Sequence, residues 1–574
     1  MRRGIIHGLQ VALAVALLAS CGGGGGGGTG GPSILVSVSI SPTSASVPIG
    51  TTQQFTAKVV GSSNSAVTWQ VNGVANGNST VGTISATGLY TAPAAIPSPA
   101  TVTVKAVSQA DTSKSASATV TVIGFSKATL NGRYSFLLAG DDVNGFFTGV
   151  GSFQADGKGN ISGGFEDLNY GLGYMPKMTL TGTYTLGSDG RGTMTLTDSL
   201  GSHDYSLVML SDSRGRFVEF NTSANGEGLL LKRDPSAFSA AAISGGYAFG
   251  LGGSDLAGDP ASVVGRFTAN GQGQLTEGAE DANLGGTITS NGSLTGTYAV
   301  DSSNGRGTAT LTDASGTRNF VFHVVTQDTF FMVETDYPFP VLEGTVRRQQ
   351  TTAFSDSSLD NDYAFLYSGI TPAAYIATAG RMHSDGAGHL TNGVFDQNDS
   401  VNISANTPFT GASSVSSNGR GTATLSVGTS PLAFYMVSPS EAFVISEDPN
   451  VVASGTMLAQ TGGPFDGTTA SGNFGLLLFT SNTDTDQAGQ VTLAGARNGG
   501  TLTGTEDVND QGILTSEAAV SGAYTVSSNG RAEATFTNPS GTANLTFYMV
   551  SGSRLFVVSR DASAVTSGNI EKQF

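Results

Sequence analysis

One strand–turn–strand phrase recurs four times along the chain, and it limits the folds open to it. The phrase runs Leu180-Thr-Gly-Thr-Tyr-Thr-Leu-Gly-Ser-Asp-Gly-Arg-Gly-Thr-Met-Thr-Leu196 and returns, with variations, over 294–311, 409–425 and 520–536. Its turn arginines are Arg191, Arg306, Arg420 and Arg531, spaced by 115, 114 and 111 positions (306 − 191, 420 − 306, 531 − 420). A period that long is a whole small domain per copy and not the rung of a solenoid. The turns are Asp-Gly or Asn-Gly, which take up positive φ and so match the twist of a tight hairpin.

Eight strands are predicted in the first copy, over 133–138, 146–154, 159–167, 178–186, 192–197, 204–210, 216–220 and 228–232. Eight short meandering strands can close into a small barrel, which removes exposed sheet edges; an open two-sheet sandwich is the alternative. Each copy opens on an aromatic anchor: Tyr134, Tyr247, Tyr363 or Phe474. The Gly-x-aromatic opening of copies 1, 2 and 4 is similar to the first strand of lipocalins and avidins, from which no ligand residue carries over. With 81 glycines, 12% charged residues and no sustained 3.6-residue period beyond the N-terminus, the chain is all-β. The predicted layout is a leader over 1–20, a tether over 21–33, a β-sandwich over 34–123, and repeats over 126–234, 235–349, 350–460 and 461–574.

The formal net charge of −17 opposes non-specific binding to nucleic acid or anionic lipid. The single cysteine, Cys21, excludes an intramolecular disulfide. It follows a basic start and a short apolar run over 11–18, too short to span a bilayer comfortably. Leu18-Ala19-Ser20-Cys21 resembles the lipobox of bacterial lipoproteins. That resemblance implies cleavage before Cys21, lipidation of its sulfur and amine, and, with Gly22 next, an outer-membrane or cell-surface location. Gly22–Gly28 then reads as a flexible tether.

Residues 34–123 carry at least six short alternating segments separated by turn residues, the pattern of a β-sandwich. Gly50 before Gln53-Gln-Phe55, the lone Trp69 and the run Gly88-Leu-Tyr-Thr-Ala-Pro93 resemble the bacterial group 2 immunoglobulin-like domain. The resemblance implies a stalk or adhesive module, with Trp69 in the core.

An acidic element also recurs: Asp167 with Asn169, Asp281 with Asn283, Asp396 with Asn398 and Asp507 with Asn509. Residues two apart on a strand share a face. Counting alternation from Ile161, Asp167 is expected to point inward, where a buried carboxylate needs a partner. The expected partners are the turn arginines of the same copy: Asp167 with Arg191, Asp281 with Arg306, Asp396 with Arg420, Asp507 with Arg531. Calcium is the one metal these oxygen ligands would suit; otherwise no cofactor is expected. The histidines His203, His323, His383 and His389 do not recur, and no nucleophile or zinc motif is present. The functional expectation is a non-enzymatic surface lipoprotein, multivalent toward a glycan, polymer, protein or neighbouring surface. A ligand-free stalk and a secreted-polymer hydrolase are the alternatives.

Overall fold

The computed structural model describes residues 35–93, 96–143, 145–170, 173–254, 259–336, 341–428 and 431–574. The leader, Cys21 and the glycine tether lie outside the described residues.

Residues 37–123 fold as a sandwich. A five-stranded sheet has Ser115–Ile123, Thr101–Ser108 and Val67–Val71 as its central strands, and smaller sheets face it. Alternation along Thr101–Ser108 sends Val102, Val104 and Ala106 into a core shared with Phe55, Trp69 and Tyr90.

Each repeat then closes into its own eight-stranded up-and-down barrel. The first has the strands Asn131–Asp142, Gly145–Asp156, Asn160–Tyr170, Gly173–Tyr184, Arg191–Thr197, Ser202–Met209, Arg214–Glu219 and Ala224–Lys232. All eight predicted strands are present, and closure excludes the open sandwich. We number the barrels I (131–232), II (244–348), III (360–459) and IV (472–572).

Each barrel has a separate core. The aromatic anchors Tyr134, Tyr247, Tyr363 and Phe474 are buried in it. The three tyrosine hydroxyls donate to the carbonyls of Asp212, Gln327 and Pro439 across the barrel. The interiors are filled: residual cavities of about 30 Å³ in barrel III and 20 Å³ in barrel II hold at most a water. The likeness to lipocalins and avidins therefore does not extend to a ligand chamber.

In an up-and-down barrel, alternate hairpins lie at opposite ends. The Asn-Gly and Asp-Gly turns at 156–157, 189–190, 270–271, 304–305, 385–386, 418–419 and 529–530 connect strands two to three or four to five, so they share one end, here called proximal. The inter-barrel linkers are at that end too. The sandwich docks there: Phe125 N–H donates to Ser188 O, and Gly50 lies against Asn473.

Candidate functional site: the seams of a barrel ring and its axial cavity

The acidic element and the turn arginine meet in every case, but across barrels. Asp167 of barrel I accepts from Arg306 of barrel II, Nε to Oδ2 at 2.8 Å and Nη2 to Oδ1 at 2.6 Å. Asp281 of barrel II is held the same way by Arg420 of barrel III, at 2.8 and 2.5 Å. Asp396 of barrel III pairs with Arg531 of barrel IV, both contacts at 2.7 Å. Asp507 of barrel IV then accepts from Arg191 of barrel I, with Nη2 at 3.2 Å from both oxygens. The four copies therefore close into a ring.

Two expectations are corrected. The pairs within a copy do not form; each aspartate takes the arginine of the following copy. The aspartates also point out of their own barrels and not inward. In barrel I the reason is a β-bulge at Gly163, φ +58°, between the pairings of Ile161 and Gly164. The extra residue reverses the alternation, so Leu168 faces the core of barrel I while Asp167 and Asn169 face its neighbour. Barrels II and III carry the same shift at Glu277 and Asn392.

The asparagines complete the seams. Asn169 Nδ2 donates to Glu334 O, Asn283 to the carbonyls of Ser446, Asp448 and Val451, Asn398 to those of Asp561 and Ala564, and Asn509 to those of Glu219, Asn221 and Ala224. These amides serve as donors, and the aspartate oxygens already accept from guanidinium. The set is a structural lock. Among the described residues no group of three or more His, Cys, Asp or Glu converges to hold a metal directly.

A third partner comes from the sixth strand, at the residue facing the arginine: His323, Tyr435, Tyr548 and, in barrel I, Val208. Tyr435 donates to Asp281 at 2.7 Å and Tyr548 to Asp396 at 2.5 Å. His323 Nε2 lies 3.3 Å from Asp167, which Tyr174 also reaches at 2.6 Å. Burial pushes the His323 pKa down to about 4, so the ring is neutral and gives its one proton to the carboxylate. Burial alone would raise the carboxyl pKa of Asp167, but the bonds from Arg306 and His323 outweigh it and hold it below the usual range. Asp281 is lowered likewise, against burial, by Arg420 and Tyr435.

Apolar contacts flank each lock. Val150 meets Val321 and Phe331 between I and II, Val264 meets Phe443 and Ile445 between II and III, and Ala377 meets Val565 between III and IV. The closing seam is the leanest, with Val208, Val218, Leu477 and Ala488. Val208 gives it no donor opposite the arginine, and Ser206, two residues earlier on the same sixth strand, donates to Asp507 instead at 2.6 Å.

A further lock was missed in the sequence. Gln349 Nε2, past the last strand of barrel II, donates to Asn418 O and Met436 O of barrel III. Gln460 does the same to Asn529 O and Met549 O of barrel IV. Gln573, one residue past the last strand of barrel IV, donates in the same way to Asp189 O and Met209 O of barrel I. A glutamine recurring one residue past barrels II, III and IV is the signal that was available.

The last strands of the barrels face the ring axis. Arg216, Glu227 and Leu229 of I, Leu251 and Glu343 of II, Phe443 and Ser454 of III and Leu477 of IV line an axial cavity of about 320 Å³. Burial, and then the nearby Glu227, push the Glu343 pKa up to about 8. Glu571 stays ionised: Arg216, Arg214 and Arg554 overcome the effect of its burial. Arg214 and Arg216 reach it at 2.8 and 2.7 Å.

The ring's surface is asymmetric. Among the described residues its exposed large apolar side chains, apart from the C-terminal Phe574, are Val143, Leu200, Leu284, Tyr375, Val401, Val427 and Ile513. Every one sits at a hairpin joining strands one to two, three to four or five to six. They share the distal end, opposite the sandwich.

In the sandwich, Trp69 is core, as expected. It packs under Gly88, where a Cβ would come within 2.7 Å of the indole and 2.3 Å of Phe55 O. Residues 35–120 match the bacterial Ig-like domain (group 2). Just past this Ig-like domain, Phe125 stacks on Phe574 at 4.1 Å and so ties the linker to the segment that follows barrel IV. No curated protein matches the chain. Among solved structures, a point mutant of the vaccine antigen Transferrin Binding Protein B from Haemophilus parasuis is 10% identical, with a TM-score of 0.15 over 77% of this chain and 94% of that one. Intact Ap-TbpB, with N and C lobes, is 8% identical, with a TM-score of 0.12 over 78% and 76%. Scores this low carry no functional inference.

Proposed function

We propose that this chain is a non-enzymatic bacterial surface lipoprotein whose barrel ring is one rigid binding head. It is anchored through Cys21 and lifted by the glycine tether and the Ig-like domain. The observation that carries the reading is that the ring's own exposed apolar side chains, the terminal Phe574 apart, gather at its distal end, with the linkers and the Ig-like domain at the other. A face studded with Val401, Ile513 and their neighbours suits an extracellular protein, glycan or other polymer bearing apolar surface. The locks make multivalency a property of one fixed array of hairpins and not of four independent beads. The closed ring weighs against an extended stalk. The dispersed histidines, each tied to an aspartate or glutamate in its own setting, weigh against a hydrolase.

The test pairs two measurements. Metabolic acyl labelling should mark the full chain and be lost in Cys21→Ser, and protease should reach the ring on intact cells. Binding to arrayed envelope glycans and to intact cells should fall at least tenfold in Val401→Asp/Ile513→Asp with unchanged folding. A ring that binds none of these, or binds unchanged in that variant, contradicts the reading.

A further inference from the structure

We propose that the closing seam between barrels IV and I holds one hydrated divalent cation, in a pocket walled by Asp486, Asn225, Asp484 and Glu227.

The pocket has a volume of about 120 Å³ and lies between the last strand of barrel I and the second strand of barrel IV. Its charged lining groups are all carboxylates: Asp141, Glu227, Asp484 and Asp486. Two of its side chains are deeply buried and end in an oxygen with no hydrogen-bond partner among the described residues. Asp486 is 1% exposed and its Oδ2 is unmatched; Asn225 is 5% exposed and its Oδ1 is unmatched. The amide orientation of Asn225 is fixed, because Nδ2 donates to the backbone and carboxylate oxygens of Asp484 at 2.8 and 2.9 Å. Two orphan acceptors facing one acidic cavity call for a positive, donor-rich occupant.

The other seams give an internal control. The residues matching Asp486 by strand register are Thr148, Ser262 and Ala377. Those matching Asn225 are Val341, Val452 and Val565. Where the other seams set a small residue against valine, the IV–I seam sets a carboxylate against an amide. It is also the seam with the fewest apolar contacts and the longest arginine–aspartate distances.

The donor chemistry selects a hard cation that keeps part of its water. No three carboxylates or histidines converge closely enough to strip it. Magnesium, bound through one or two carboxylates with several waters retained, meets that description. At ~30 Å³ per water, the pocket takes an ion with about three waters. Asp141, exposed at the rim, leaves a polar route in. Burial, then Glu227 and Asp484, raise the Asp486 pKa well above the usual carboxylate range, so binding is coupled to proton release.

The experiment is equilibrium dialysis and thermal melting of the chain, in a Cys21→Ser background, with Mg2+ alone and Ca2+ alone. One ion per chain and a melting temperature that climbs with ion concentration are expected. Asp486→Asn should abolish both responses while raising the melting temperature of the ion-free protein, because folding no longer has to protonate a buried carboxylate. Asp484→Asn, at the half-buried edge, should fold normally and weaken binding at least tenfold. No saturable binding up to millimolar ion, or binding unchanged in Asp484→Asn or Asp486→Asn, overturns the proposal.

Discussion

Arg191 in the first barrel donates to both carboxylate oxygens of Asp507 in the fourth, 316 positions later, and so repeats the contact that every other barrel makes with its immediate predecessor. A tandem array with open ends would leave Arg191 and Asp507 without partners. Here the last copy treats the first as the next in line.

The locks should differ in strength. Arg420→Ala strands Asp281, whose side chain is fully buried, and should cost about 3–5 kcal/mol. Arg191→Ala should cost less than half of that, since both partners of its pair are about a tenth exposed and the contacts are longer. Urea unfolding followed by fluorescence ranks the two.

Tyr548→Phe removes one hydroxyl donated to the buried Asp396 and no packing. A hydrogen bond to a charged group predicts a loss of about 1.5–3 kcal/mol. Val208, at the matching place in barrel I, has no hydroxyl to lose, so Val208→Ala should cost only what its smaller packing loss implies.

How much of this was legible in the sequence depends on the range of the signal. The eight strands, the Asp-Gly and Asn-Gly turns and the aromatic anchors are local, and alternation with turn chemistry was enough to place them. Recurrence points to Arg191 and Asp167 and pairs them within one copy; the structure pairs Asp167 with Arg306 of the next copy. Two things hid it. A bulge at Gly163 reverses which face Asp167 occupies, and nothing in a two-residue period announces an extra residue. A tandem repeat also makes each aspartate equally compatible with either neighbouring arginine, so only a non-local clue could decide. Gln573, at the same offset past barrel IV as Gln349 past barrel II and Gln460 past barrel III, was that clue.

The turn glycines are docking surfaces as well as turns. Gly305 has φ +70°, and a Cβ there would lie 2.5 Å from the Phe238 ring and 2.3 Å from Arg233. Gly305→Ala should therefore destabilise by about 2 kcal/mol or more, combining a strained φ with overpacking. Gly145→Ala, at φ +104° with open space around it, should show only the backbone part, about 1 kcal/mol.

The pH dependence has two limbs of opposite sign. Asp167 and Asp281 have folded pKa values below their ordinary one, so their contribution is complete above about pH 4 and is lost as pH falls further. Burial raises Glu334 to about 8 from its ordinary 4.5, and neither of its oxygens has a hydrogen-bond partner among the described residues, so its contribution is complete below pH 4.5 and drains away as pH rises toward 8. Glu343 acts in the same direction. Melting temperature should peak near about pH 5, and Glu334→Gln should flatten the alkaline limb while leaving the acid limb in place.

Ring closure itself is tested most directly by a covalent staple across the IV–I seam. A Cβ at Gly475 of barrel IV would lie 3.0 Å from a γ-carbon of Val208 in barrel I, the spacing a disulfide needs, with only the flexible tip of Leu210 to move aside. In a Cys21→Ser background, Val208→Cys/Gly475→Cys should oxidise in air to a monomer without free thiols, and peptide mapping should join positions 208 and 475. Free thiols that persist, or disulfide-linked dimers in place of the internal bridge, would mean that barrels I and IV do not meet and that the ring is open.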